Sequence, residues 1–336
     1  MVDDLPTRWW SAAWRSVAED WLRTTLSRQG IEVFSVDQPR VRFWSTQLRA
    51  ETSSGVVWFK ENAPSQAFEA GLVAVVADLA PRHVDVPLAT DRDRGWLVTR
   101  DLGQTIGAAG EVGVEDYAPV LREWGVVQRQ LETAGDQVIG AGVTWFRESE
   151  AAEWAVAVAD ECAALSLGDA RRINSAERAL VADGVFRIAA AAAELEASGI
   201  PDSLQHNDLH PWNAFRMPSG ELTFIDLGDA LWCHPWATAR NPLWGMRIRL
   251  ELARDAPALR RVEDAYLELW TDVAPLRELR RLLPAAERLS CLHRAASWRR
   301  LQADVPVEAI DIEYRRVVGD WLLDAVAPEP FDNRDP

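Results

Sequence analysis

Apolar residues recur at helical steps over residues 6–29, where Trp10, Ala13, Trp14, Val17, Trp21, Leu22 and Leu26 fall three or four apart. The spacing predicts an amphipathic helix whose aromatic stripe packs into a core, ended by Gly30. Residues 31–61 lose that period. Ile31–Val36, Val41–Glu51 and Gly55–Glu61 are short runs rich in β-branched and aromatic residues, divided by Asp37-Gln38-Pro39 and Ser53-Ser54-Gly55. They predict an antiparallel meander. Helical spacing returns over Ala67–Leu79, with Phe68, Leu72, Val75, Val76 and Leu79 on one face. Val84–Ala89 and Gly95–Thr99 read as two further strands about a turn at Asp91–Gly95. Beyond Asp101-Leu102-Gly103 helices are expected near 115–134, 144–165, 175–198, 235–253, 257–273, 284–301 and 307–326. One non-helical stretch, 202–230, interrupts them. The prediction is an α+β chain of two lobes. Residues 1–102 form the N-terminal helix and a small antiparallel β lobe with one helix. Residues 103–328 form a larger helical lobe, and 329–336 a loose tail.

Composition narrows the function classes. A chain of 336 residues is long enough for about two domains of ~150 residues each. Its 52 acidic side chains outnumber 36 basic ones, a formal net charge of −16, which argues against nucleic acid as a partner. Cys162, Cys233 and Cys291 lie far apart, so neither a disulfide framework nor a zinc ribbon is implied. The first residues are acidic with no apolar run behind them, and no run reaches the ~18 apolar residues of a membrane span. The expectation is a cytoplasmic protein without membrane contact, as monomer or homodimer. One count stands out: the chain holds a single lysine, Lys60, and all its other basic side chains are arginine. Lysine and arginine do not exchange freely at a tight site, so Lys60 is either a surface survivor or a position that needs an ammonium.

Polar residues concentrate in the non-helical stretch, which reads Leu204-Gln205-His206-Asn207-Asp208-Leu209-His210-Pro211-Trp212-Asn213. A turn at Pro218–Gly220 and the run Leu222-Thr223-Phe224-Ile225-Asp226-Leu227-Gly228-Asp229 follow. His-x-Asp-x4-Asn, a short hairpin, then Asp-x-Gly closing a β run is the catalytic-loop and metal-loop layout of kinases. A phosphoryl acceptor hydroxyl needs a carboxylate within hydrogen-bond reach, and Asp208 supplies one. Nucleotide phosphates need Mg²⁺, a hard cation that takes oxygen ligands. Asn213 offers a neutral oxygen and Asp226 a charged one. Gly228 lets the backbone turn behind the ligand. His206 and His210 as a zinc pair would need a helix, which Pro211 opposes. Lys60 ends the third strand, where kinases place a phosphate-binding lysine held by a glutamate of the next helix. Glu69 lies nine residues on, early in the predicted helix.

With these residues the sequence resembles the aminoglycoside phosphotransferase and choline-kinase-like superfamily of small-molecule kinases. The resemblance rests on Phe59-Lys60, Trp96-Leu97-Val98-Thr99-Arg100-Asp101-Leu102-Gly103, His206-x-Asp208-Leu209-His210-x2-Asn213 and Ile225-Asp226-Leu227-Gly228-Asp229, over residues 30–240. It implies a protein-kinase-like fold and an ATP- and Mg²⁺-dependent transfer of the γ-phosphoryl group to a small-molecule hydroxyl. It implies that Lys60 binds the α/β-phosphates with Glu69 orienting it, and that Arg100, Asp101 and Leu102 form the adenine hinge. Asp208 would be the base, Asn213 and Asp226 the Mg²⁺ ligands. His206 would brace the loop through backbone near Asp226, and His210 would touch the phosphate or the acceptor.

The chain departs from the pattern between its first two strands. Asp37–Thr46, where a nucleotide-covering loop belongs, has no glycine, and Ser45 and Thr46 there are either phosphate donors or turn residues. Asp229, His234 and Trp236, just past the metal loop, are candidates for the acceptor side; packing and capping are the competing roles. The acidic balance favours a cationic acceptor such as an aminoglycoside or amino sugar only weakly. No Ala-Pro-Glu-like segment follows Asp226, against a eukaryotic-type protein kinase. A regulatory pseudokinase would be expected to lack the base or a metal ligand, and here both are present.

Overall fold

The computed structural model describes residues 4–329. Residues 330–336 of the expected tail lie outside them, while Glu329 pairs with Arg254 at 2.6 Å. Helices α1 (Leu5–Trp10) and α2 (Ala12–Ser27) precede β1 (Val33–Val41), β2 (Ser45–Thr52) and β3 (Gly55–Asn62). Then follow α3 (Glu69–Leu79), β4 (Ala89–Asp91) and β5 (Trp96–Arg100). The five strands form one antiparallel sheet in the order β1-β2-β3-β5-β4. Next come α4 (Val114–Leu131), α5 (Gly135–Gly140), α6 (Ala151–Ala164) and α7 (Ser175–Glu196). Two short pairings, β6 (Ser203–Gln205) with β9 (Leu231–Cys233) and β7 (Ala214–Arg216) with β8 (Leu222–Phe224), carry the polar stretch. The chain closes with α8 (Arg240–Arg249), α9 (Pro257–Leu267), α10 (Leu276–Ala303) and α11 (Val317–Val326). Among the described residues no helix is long and apolar enough to cross a membrane.

Several boundaries differ from the periodic pattern, each for a local reason. The segment 6–29 is two helices, because Ser11 takes an extended conformation and its hydroxyl accepts the Trp14 N–H at 3.2 Å as an N-cap. The break shifts the helical phase, so Trp9 is buried and Trp10 is exposed. Val84–Leu88 is not a strand: Pro87 lacks the N–H a ladder needs, and pairing begins at Ala89. Thr144–Arg147 is extended rather than helical and bonds alongside Trp232, through Phe146 N–H to the Trp232 carbonyl and Trp232 N–H to the Thr144 carbonyl. Helix α10 starts earlier than expected and carries Pro284 inside it, while α11 starts ten residues later than expected, after two 3₁₀ turns.

The apolar residues form two cores. One fills the helical lobe and also takes the buried face of α3. The other lies under the β1–β5 sheet, closed by α1 and α2, and includes Leu301, Val305 and Ile310 from near the C-terminus. The end of α10 therefore belongs to the small lobe. Ser65 N–H donates to Asp304 at 2.8 Å across the same contact. Within this second core sits a buried carboxylate. Glu61 accepts indole N–H bonds from Trp9 at 2.9 Å, Trp14 at 2.7 Å and Trp96 at 2.6 Å, and pairs with Arg8. Of the expected stripe, Trp14, Leu22 and Leu26 are core while Trp10, Ala13 and Val17 are exposed, and Trp14 joins Trp9 and Trp96 in satisfying a buried charge.

Candidate active site

Lys60 and Glu61 alternate across β3, so one faces the core and the other the cleft between the lobes. Lys60 Nζ lies 2.7 Å from Glu69 Oε2 on α3 and 2.7 Å from Asp226 Oδ1. Burial would lower the lysine pKa; the two carboxylates overcome it and raise it, so the ammonium is held charged. Glu69 is buried and is itself tied down: Oε1 accepts the Leu227 N–H at 2.9 Å, and Asn62 donates to Oε2. One carboxylate thereby joins β3, α3 and the 226–229 turn.

The turn expected at Gly228 falls on Asp226, whose φ of 67° is left-handed. Gly228 is instead a close approach: a Cβ there would lie 3.3 Å from Gln66 and 3.4 Å from Glu69. Asp226 is held below the usual carboxylate range, since Lys60 outweighs the desolvation of the cleft. His206 is fully buried and its Nε2 lies 3.0 Å from the Ile225 carbonyl, which anchors the 206–213 loop to the turn at Asp226. Burial lowers its pKa, so this ring is neutral.

Asp208 projects from that loop. Asn241 Nδ2 and Arg294 Nη1 each lie 3.3 Å from its Oδ1; His210 Nε2 and Asn213 Nδ2 lie 3.5 Å from Oδ2. Desolvation would raise the carboxyl pKa, but Arg294 and then His210 hold it well below the usual range. The same proximity raises His210 against the effect of burial. Asn213 also donates to the Asp208 carbonyl at 3.0 Å. Trp212 packs directly on Gly107, where no Cβ would fit, and Arg249 lies over its ring at 4.5 Å.

Lys60, Glu69, Asn213 and Asp226 line one cavity of about 310 Å³ between the lobes. Arg100, Asp101 and Leu102 form another part of its wall. There Asp101 N–H donates to the Val56 carbonyl at 3.1 Å, and Arg100 reaches Asp85 at 3.2 Å. Other expected site residues lie elsewhere. Ser45 and Thr46 are buried, and the Thr46 hydroxyl donates to the Arg40 carbonyl and accepts from Gln38. The cavity wall from that hairpin is made by Arg40 and Gln47. Asp229 is occupied within the protein by Gln66 Nε2 at 2.7 Å, Arg294 Nη1 at 3.2 Å and the Ser297 hydroxyl. His234 caps a short 3₁₀ turn by accepting the Trp236 N–H at 3.3 Å, and its burial drives its pKa down to about 3. Trp236 is fully buried against Trp270. His234 and Trp236 belong to the helical lobe's interior.

The residues that motif spacing did not reveal are Arg294, Asn241, Arg40 and Gln47. Arg294 and Asn241 come from α10 and α8, outside every motif. Arg40 and Gln47 are legible only once strand register is known.

No protein-family model matches the chain, and no curated protein sequence matches it either. Solved structures do. An ethanolamine kinase from Plasmodium vivax is 11% identical, with 88% of this chain and 84% of that one covered and a TM-score of 0.59. A choline kinase from Streptococcus pneumoniae is 14% identical over 91% of this chain and 98% of its own, with a TM-score of 0.56. A macrolide 2′-phosphotransferase from Brachybacterium faecium is 15% identical over 94% and 98%, with a TM-score of 0.55. The chain has the two-lobed, kinase-like fold of these small-molecule phosphotransferases.

Proposed function

We propose that this chain is an ATP- and Mg²⁺-dependent phosphotransferase that moves the γ-phosphoryl group to a hydroxyl of a small molecule. The observation that carries the reading is Lys60 bridging Glu69 and Asp226 at 2.7 Å each, with Asp208 and Asn213 on the loop that His206 ties to the Asp226 turn. The fold it shares with kinases of ethanolamine, choline and macrolides supports it.

Each residue has a task in that chemistry. Lys60 is a fixed positive charge for nucleotide phosphates. The 100–102 backbone offers hydrogen bonds to a base. Asp208 Oδ1 is held by Arg294 and Asn241 at 3.3 Å, so Oδ2, with only the longer 3.5 Å contacts of His210 and Asn213, is the oxygen better placed to accept the proton of the acceptor hydroxyl. His210, kept protonated more readily by Asp208, is a donor beside that oxygen. The donor set also fits a hard cation. The Asn213 amide oxygen and the Asp226 carboxylate are both oxygen ligands. Among the described residues no three His, Cys, Asp or Glu side chains come together as a metal site. Asn213 and Asp226 would therefore hold Mg²⁺ jointly with nucleotide phosphates and water, and the ion would neutralise phosphate charge.

The deciding experiment is an ATP-consumption screen over aminoglycosides, amino sugars, macrolides, choline, ethanolamine, homoserine and simple sugars. Turnover with at least one acceptor is expected, and Asp208→Ala should reduce it by about 10²–10⁴-fold. Lys60→Arg should cut turnover sharply while the fold persists. ATP binding without turnover on any acceptor would favour a regulatory pseudokinase instead.

A further inference from the structure

The loop between β1 and β2 has no glycine, yet it stands where a nucleotide-covering loop must lie. The register of the sheet shows what takes its place. Arg40 on β1 pairs with Gln47 on β2, and Gln47 pairs with Lys60 on β3. Directly paired residues project to the same face of a sheet, so Arg40, Gln47 and Lys60 form one row facing the cleft. All three line the same cavity as Asn213 and Asp226. At ~4.8 Å between neighbouring strands, Arg40 stands roughly 10 Å from Lys60 at the backbone, with Gln47 between them. Its guanidinium is exposed and forms no ion pair among the described residues.

The tip of the hairpin is not free to move as a glycine-rich flap would. Phe43 and Trp44 pack against Trp298 and Tyr314, with Trp44 edge-on to both at 6.1 and 5.7 Å and Trp298 stacked on Tyr314 at 4.8 Å. A rigid hairpin cannot wrap its amides around phosphates, but it can hold a side chain at a fixed place.

We propose that Arg40 is a nucleotide-phosphate-binding residue, with Gln47 as a neutral donor beside it, and that this side-chain pair does the work of the missing glycine-rich loop. Lys60 and Arg40 then bracket the polyphosphate from two strands, and the planar fork of Arg40 takes two phosphate oxygens at once. The proposal rests on the phosphotransferase reading and adds to it where the terminal phosphates are gripped.

Calorimetry of Mg²⁺-loaded protein with ATP, ADP, AMP and adenosine tests it without any knowledge of the acceptor. Arg40→Gln should weaken ATP and ADP about tenfold to hundredfold, the range for a charge-assisted contact, and leave adenosine unchanged. Arg40→Lys should recover only part of the loss. Arg82→Gln, an exposed arginine outside the cleft, should change nothing. Equal affinities of wild type and Arg40→Gln for ATP, with wild-type binding intact, would overturn the role of Arg40 alone. Wild-type protein that binds no nucleotide would overturn the phosphotransferase reading and this proposal with it. Equal loss of ATP and adenosine in Arg40→Gln would mean a damaged pocket rather than a phosphate contact, and would also overturn it.

Discussion

Arg294 is 87 residues from Asn207 along the chain, yet one nitrogen, Nη1, serves three oxygens. It lies 2.9 Å from the Asn207 carbonyl, 3.2 Å from Asp229 and 3.3 Å from Asp208. Arg294 therefore links Asp229 to Asp208 and holds its Oδ1, while Oδ2 keeps only the 3.5 Å contacts of His210 and Asn213. Replacing Arg294 by Met leaves the Asp208 carboxylate unaimed, and small errors of aim are costly in transfer reactions. Turnover should fall about 10²-fold while nucleotide affinity changes little, a split read by steady-state kinetics alongside calorimetry. Arg294→Lys keeps the charge without the fork and should restore only part of the rate. Nothing in the sequence marked this arginine out, because it is one of many and no motif contains it. Lys60 was legible for the opposite reason: it has no second copy, and Glu69 stands at the right remove on the following helix.

At the scale of elements, α1 and α2 are joined to β3 through the Glu61 carboxylate. Four donors from three places converge on it: Arg8 and Trp9 from α1, Trp14 from α2, and Trp96 from β5. Glu61→Gln keeps the volume but presents one acceptor oxygen where two were used, so a buried indole N–H loses its partner. The expected cost is about 2–4 kcal/mol of stability, measured by denaturant unfolding followed through tryptophan emission. A change within ±0.5 kcal/mol would mean that the helices are held by apolar contact alone. The helical periodicity of residues 6–29 was enough to place an amphipathic segment here. The break at Ser11 and the choice of Trp9 over Trp10 for the interior were not, because a single N-cap hydrogen bond decides the phase.

For the molecule as a whole, pH acts through groups buried without charge. Burial holds His234 and His293 down at about 3, while an unfolded histidine titrates near ~6.5. Below that value the unfolded chain binds protons that the folded one refuses, so the stability these two histidines contribute is complete above about pH 6.5 and is lost as pH falls toward 3. Glu148 and Glu287, which burial pushes up to about 7 and about 8, act in the opposite sense over part of that range, so the histidine contribution is read as a difference. The melting temperature of wild type should fall relative to that of His293→Asn between pH 7 and 4, measured by scanning calorimetry; a constant gap would remove His293 from the account.

Local pattern and motif spacing were sufficient for the α+β class, for the β1–β3 meander, and for the nearness of Lys60 to Glu69 and of the His206 loop to the Asp226 turn. These are short-range properties: periodicity reports which face is buried, and the loop motifs keep their partners within a few residues or one hairpin. Tertiary structure alone decided the rest. It turned Asp229, His234, Trp236, Ser45 and Thr46 inward, brought Arg294 and Asn241 to Asp208, placed the end of α10 in the small-lobe core, and lined Arg40 up with Lys60. Those outcomes depend on strand register and on contacts between distant segments, where a shift of one residue sends a side chain to the opposite face.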